Sequence, residues 1–361
     1  MTALHTPPLK GRGISDNVQH RFSHQSVEAP DDVWWYQEGD QPANTTQLIE
    51  EKAKSIISTN QSSDVPFEQS INPYRGCEHG CVYCFARPSH AYWDFSPGFD
   101  FESKIIYKSN AAELLRAKFD NPRYQCTPIA LGVNTDAYQP VEQQLEITRD
   151  ILKLMVEYQH PVTIITKSKL ICRDIDLLSQ LAENNLVSVA MSMTSLSNHL
   201  KRIMEPRAAS PKARLQTIEE LNKHHIPTSV IVAPVIPGIN DSEMESLLRA
   251  CSDAGASVAR YILLRLPYEV KPIFVQWLQQ HFPFRKKKVL NFLTEMRNGK
   301  LNENRFGYRM SGDGIYAKLF KQRFKVACQK AGLNQHDYNQ LDTSHFSNEA
   351  QREASRQMSL L

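Results

Sequence analysis

Three of the seven cysteines in this 361-residue chain fall within eight residues, in the run I-N-P-Y-R-G-C-E-H-G-C-V-Y-C-F-A-R-P. Cys77, Cys81 and Cys84 give the spacing C-x3-C-x2-C, while Cys126, Cys172, Cys251 and Cys328 are scattered. Thiolates are soft ligands that suit zinc and iron–sulfur clusters. Gly76 and Gly80 allow the tight backbone turns that let three sulfurs converge on one centre. Three ligands rather than four is the informative number. A structural zinc site is closed by four protein ligands, so zinc would have to recruit His79 or His90. A four-iron cluster on three cysteines leaves one iron open for a substrate or a second cofactor.

The elements that must position this loop read as a regular alternation. Short β-branched runs occur at 66–74, 128–135, 162–167, 187–193, 228–236 and 258–266. Helical patterns follow at 141–159, 173–185, 211–225 and 241–255. Ser210 before Pro211, and Asp241 before two early acids, are helix start signals, and Gly255 is a stop. Strands alternating with helices imply βαβ units and a parallel sheet. Six units, between about residues 65 and 283, are too few for an eight-unit barrel, leaving a partial (β/α)6 barrel or an open doubly wound sheet. No GxGxxG follows the first strand, which argues against a dinucleotide-binding Rossmann domain. The division expected is an irregular arm over 1–64, with a short helix around 46–58, then the β/α array over 65–283. A basic, mostly helical extension over 284–333 and a mobile polar tail over 334–361 complete it.

The cysteine loop, with Tyr83 before its last cysteine and Phe85 after it, resembles the radical S-adenosylmethionine (SAM) superfamily, as does its place after the first strand of a six-unit array. The wider pattern resembles the spore photoproduct lyase-like, or DNA repair photolyase-like, branch. It is carried by NPYRGCEHGCVYCFARP, TKS at 166–168, EPR at 205–207, PVIPGIND at 234–241 and LRLP at 264–267. The likeness spans roughly residues 65–270. It implies a partial (β/α)6 TIM-type barrel and a [4Fe-4S] cluster on Cys77, Cys81 and Cys84, with SAM at the open iron. In that superfamily the reduced cluster cleaves SAM, and the resulting 5′-deoxyadenosyl radical takes a hydrogen atom from the substrate.

The C-terminal ends of barrel strands gather at one face, so polar residues there are the SAM-site candidates. Asn134 and Asp136 would meet the ammonium or ribose, and Lys167 the carboxylate. Ser192 and Thr194 would meet ribose or carboxylate oxygens, and Tyr83 the adenine. Spore photoproduct lyases return a hydrogen atom from a further cysteine some forty residues past the loop. Cys126 stands at about that separation but precedes the second strand, at the opposite face. It is read as a structural thiol, and splitting of a thymine dimer is not carried over.

The net charge of +3 conceals an asymmetry: residues 265–330 hold fifteen Lys plus Arg against four Asp plus Glu, a local +11, leaving −8 elsewhere. There FRKKKVL (284–290) and FGYRMSGDGIYAKLFKQRFK (306–325) interleave aromatics with cations, a composition suited to phosphates and stacked bases. The same charge would suit an acidic electron donor such as a flavodoxin or ferredoxin. No run approaches the roughly 18 apolar residues of a membrane span, and the N-terminus has no apolar h-region. A reducing cytoplasm and no membrane partner are expected. The expected function is a radical SAM enzyme acting on a nucleic-acid base, in repair or modification. The alternatives are a radical SAM enzyme on a protein or small molecule, and a non-catalytic zinc-dependent nucleic-acid-binding protein.

Overall fold

The computed structural model describes residues 11–23, 45–335 and 340–348. Among them are ten strands: β1 (Gln47–Glu51), β2 (Ile57–Thr59), β3 (Gln69–Ile71), β4 (Tyr74–Arg75), β5 (Lys104–Lys108), β6 (Ile129–Leu131), β7 (Val162–Thr166), β8 (Val187–Met193), β9 (Thr228–Val235) and β10 (Val258–Leu263). Seven build one sheet in the order β10-β9-β8-β7-β6-β3-β2. From β3 to β10 its neighbours are parallel, and β2 closes one edge antiparallel to β3. The six expected runs are thus six adjacent parallel strands. They form an open partial (β/α)6 barrel, with β2 and β10 as its two edges. Every residue of β8 is buried, as a central parallel strand covered on both faces requires.

Helix signals held where a cap fixes them. Pro211–Lys223 begins with the Ser210 side chain accepting from the Ala213 amide. The helix ending at Asp253 runs into Gly255 at φ +106°, where a Cβ would stand 2.6 Å from Asn222 Cγ. The pattern at 141–159 is instead broken. Glu142–Leu145 and Ile147–Glu157 are separate helices around Glu146, which takes φ +53°. The Glu142 carboxylate causes the break by serving the second helix: it accepts from the Thr148 amide at 3.0 Å, from Arg173 at 2.8 Å and from the Tyr74 hydroxyl.

The helix expected at 46–58 is two strands. β1 pairs parallel with β5, which also pairs antiparallel with β4, in a small second sheet. Ile105 and Ile106 of β5 are fully buried, so the outer edge of that strand needs a ladder partner, and the alternation of QLIEE supplies one. The arm is also tied down upstream. Arg12 donates to the Glu102 carbonyl at 2.5 Å, and the Gly13 amide to the Glu102 carboxylate at 2.8 Å. Gly13 lies so close to the cysteine loop that a Cβ there would stand 1.9 Å from the Gly80 oxygen.

The tail expected to be mobile is packed where it is described. The Asp342 amide donates to Asn185 O and the Ser347 amide to Tyr158 O. The Phe346 ring lies against Phe119, Tyr124, Tyr158 and His160. The remainder of that tail lies outside the described residues. Helix Val270–His281 precedes the basic extension, which is mostly helical, as expected, over Pro283–Glu295 and Gly314–Lys330.

Candidate active site

Residues 76–85 leave β4 and lead into a 3-10 helix, Arg87–Trp93, with Pro88 in its first turn. Gly76 (φ +78°) and Gly80 (φ +67°) make the two turns in which only glycine is unstrained. The loop is pinned from four directions. Cys77 N–H donates to Phe101 O at 2.9 Å and Val82 N–H to Met204 O at 3.1 Å. Glu78 N–H reaches the Gln139 side chain at 2.9 Å, and Arg87 Nε reaches Cys81 O at 2.9 Å. Arg87 is itself fully buried, in an ion pair with the fully buried Glu102, and donates to Pro97 O and Gly98 O. One buried cation therefore fixes the carbonyl of the middle cysteine.

Cys77 and Cys81 are buried and Cys84 is partly exposed; none is in a disulfide. Burial, then Asp136 and the other two cysteines, pushes the Cys77 thiol well up. Burial pushes Cys81 to about 12, partly offset by Lys167. The Cys77 and Cys81 thiols therefore deprotonate only against added positive charge, which is what iron would bring. Among the described residues no three of His, Cys, Asp and Glu meet at a point that one metal ion could hold. A cluster spreads its thiolates over separate irons and needs no common point, whereas a zinc ion does. Of the two recruits zinc would need, one is engaged and the other is packed among aromatic rings. His79 Nε2 donates to Asp136 at 3.1 Å. His90 is packed against Phe95 and Phe101, with no hydrogen bond at either nitrogen.

The strand ends bring the other candidates to the same face. Lys167 follows β7, and its amide donates to Asp136 at 2.8 Å. Its half-buried ammonium makes no hydrogen bond within the described residues. Burial works to lower its pKa, but Cys81, Glu205 and Asp136 outweigh that and raise it. This is a retained positive charge beside the cysteine loop with an open coordination sphere. The donor set fits a carboxylate-bearing cofactor at that place.

Thr194, just past β8, donates to Glu205 at 2.7 Å, and the Tyr83 hydroxyl donates to the same carboxylate. Arg214 pairs with Glu205 at 2.5 Å and donates to the Ser192 carbonyl at 2.9 Å. Burial works to raise the Glu205 pKa, but Arg214, Lys167, Tyr83 and Thr194 bring it down to about 2. The Ser192 hydroxyl and the Asn134 amide make no hydrogen bond within the described residues. Asn134 is anchored through its backbone N–H to Asn72 at 2.8 Å.

Asp136 differs from these. Its carboxylate accepts from His79, Tyr138 N, Thr166 Oγ1 and Lys167 N. Burial works to raise its pKa, but His79 and these donors bring it down to about 2. It joins the cysteine loop to the end of β7 and offers no open oxygen lobe of its own. Cys126 precedes β6, at the end of the sheet away from the loop, and burial pushes its thiol to about 12.

Motif reading missed Glu205 and Arg214 as individual residues. Glu205 lies in the EPR segment, whose other charged residue, Arg207, pairs with Glu78 at 3.0 Å. Arg214, inside a polar helix, carries no such signal.

The radical SAM superfamily model matches residues 71–251, half of the chain, and the protein belongs to that superfamily. It is an enzyme of a family defined by an iron–sulfur cluster and SAM. An uncharacterized protein of Mycobacterium tuberculosis is 36% identical over 221 residues, 61% of this chain and 65% of that protein. The chain thus spans somewhat less than two thirds of the length of its mycobacterial relatives. The radical SAM Nalpha-GlyT isomerase of Pseudomonas phage M6 is 24% identical over 258 residues, 70% of this chain and 52% of that one. Spore photoproduct lyase complexed with dinucleoside spore photoproduct shares the fold, with a TM-score of 0.56, 15% identity, and 79% and 80% of the two chains covered.

Proposed function

We propose that this enzyme holds a [4Fe-4S] cluster on Cys77, Cys81 and Cys84 and SAM at the adjoining strand ends, and acts on a base of a nucleic acid in repair or modification. When bound, the cluster and SAM supply one-electron cleavage of a sulfonium bond and a carbon radical that removes hydrogen. The chain's own part is placement. Lys167 would take the SAM carboxylate, with Asn134 and Ser192 within the same row of strand ends. Tyr83 and Thr194, fixed on Glu205, would form the wall beside the adenosyl group. Asp136 would keep Lys167 and the cysteine loop in register. The carrying observation is the open Lys167 ammonium next to three undisulfided cysteines, two of them buried.

For the substrate class, support comes from aromatics presented under arginines. Arg265 lies over Phe85 at 5.2 Å, Arg309 over Phe306 and Arg305 over Tyr308 at 4.7 Å, and Arg21 over Tyr268 at 4.5 Å. All four rings are well exposed, as faces for base stacking must be. A lyase of the same fold receives a dinucleoside. An acidic one-electron donor, a flavodoxin or ferredoxin, would complete the system in a reducing cytoplasm. Within the described residues no helix is long and apolar enough to cross a membrane.

Anaerobic reconstitution with iron and sulfide tests the chemistry. Wild type should take up about four irons per chain and form 5′-deoxyadenosine from SAM, and Cys81→Ala should lose both. Stoichiometric zinc without SAM cleavage would overturn the reading. Transfer of label from labelled SAM to protein or metabolites, and none to DNA or RNA, would redirect the substrate class.

A further inference from the structure

Among the described residues, two arginines that meet at the end of the sixth parallel strand have no acid to themselves. Arg265 follows β10 by two residues, on the face where the cysteine loop lies. Its guanidinium stands over the ring of Phe85, the residue after Cys84, and among the described residues its Nη1 meets only Met310 Sδ, at 3.9 Å. Arg297, 1% exposed, donates to Leu264 O at 2.9 Å, Tyr308 O at 2.8 Å and Arg309 O at 2.9 Å. It thereby clamps the 308–310 loop against the strand end that carries Arg265. Both Nε atoms are buried with no hydrogen-bond partner among the described residues.

Asp64 and Glu303 are the carboxylates that act on this pair, and each is already taken. Arg309 grips Asp64 at 2.5 and 2.7 Å, and Arg305 grips Glu303 at 2.8 Å. Among the described residues, four guanidiniums therefore face two carboxylates. Burial, and next Arg309, lowers the Arg265 pKa, and burial, with Arg265 next, lowers that of Arg297 to about 10. Guanidinium groups withdrawn from water without a counter-charge are costly unless an anion arrives. The planar fork of Arg265 suits a phosphate held by two oxygens, and the exposed ring of Phe85 lies beside it.

We propose that Arg265, backed by Arg297, is a phosphate site that anchors the strand of a nucleic-acid substrate at the barrel mouth, with an adjoining base against Phe85. This rests on the nucleic-acid reading above. Arg265 makes the contact. Arg297 holds the strand end and contributes field from within.

The test is fluorescence anisotropy of a labelled single-stranded oligonucleotide titrated with the full chain over a range of salt, using wild type, Arg265→Met and Arg265→Lys. Arg265→Met should weaken binding about tenfold and reduce the salt slope by about 1, while Arg265→Lys keeps the slope. The thermal midpoint of Arg265→Met without oligonucleotide should equal or exceed that of wild type, since an uncompensated charge has gone. Wild-type affinity and slope in Arg265→Met overturn this site and leave the nucleic-acid reading standing. Weaker binding accompanied by a lower midpoint also overturns it, because Arg265 would then serve the fold. A wild-type protein that binds no oligonucleotide at any salt overturns the nucleic-acid reading and this site with it.

Discussion

Lys167 stands among Cys81, Glu205 and Asp136, all of which favour its charge, with Arg214 opposing. Its ammonium is thus kept ionised without being consumed by a partner. Lys167→Met should leave iron content after reconstitution unchanged and weaken SAM binding by at least about tenfold, the loss of one charge-assisted hydrogen bond. Equilibrium dialysis with labelled SAM measures it, and unchanged affinity would remove Lys167 from the site. At this scale the cysteines were legible because their spacing is local and their chemistry narrow. Arg87 and Arg214 were not, since a cation in a loop or on a helix reads as a solvated charge. Their partners are Glu102 and Glu205, and only the fold places either pair at full burial. Asp136 was legible as a strand-end carboxylate, but its four donors come from three separate segments.

Between β6 and β7, the turn at His160 carries a titration of its own. The ring is stacked on Phe119 at 4.5 Å, and its nitrogens meet Tyr124 Oη and Pro161 O. Burial lowers its pKa to about 3. The unfolded chain takes up this proton near pH 6.5 and the folded chain only near 3. Stability is therefore untouched by this group above about pH 6.5 and falls as pH drops from there toward 3. Denaturant unfolding at several pH values should show His160→Phe losing about one proton from that slope, whatever its effect at neutral pH. An unchanged slope would mean that the ring is not held neutral. The strands themselves were plain in the sequence, because β-branched runs bounded by turns have few other uses. β1 was misjudged because its conformation is set by the open edge of β5, more than fifty residues away. The break at Glu146 was hidden for a related reason. A helical period gives no hint that Glu142 is turned inward toward Tyr74 and Arg173.

Across the whole molecule, both ends of the described chain return to the barrel at different places. The 340–348 segment is held at the N-terminal side of the strands through Phe346, far in topology from the cysteine loop. Phe346→Ala should cost about 1–3 kcal/mol of stability and leave SAM cleavage by the reconstituted enzyme unchanged. Denaturant midpoints and a 5′-deoxyadenosine assay on one preparation check both, and lost cleavage would show the two ends to be coupled. The other end lies on the cysteine loop itself. With 1.9 Å between a hypothetical Gly13 Cβ and the Gly80 oxygen, not even a methyl group fits between arm and loop. Any side chain at position 13 would have to push the arm off the loop or the loop off the arm, so the two move as one unit on that side.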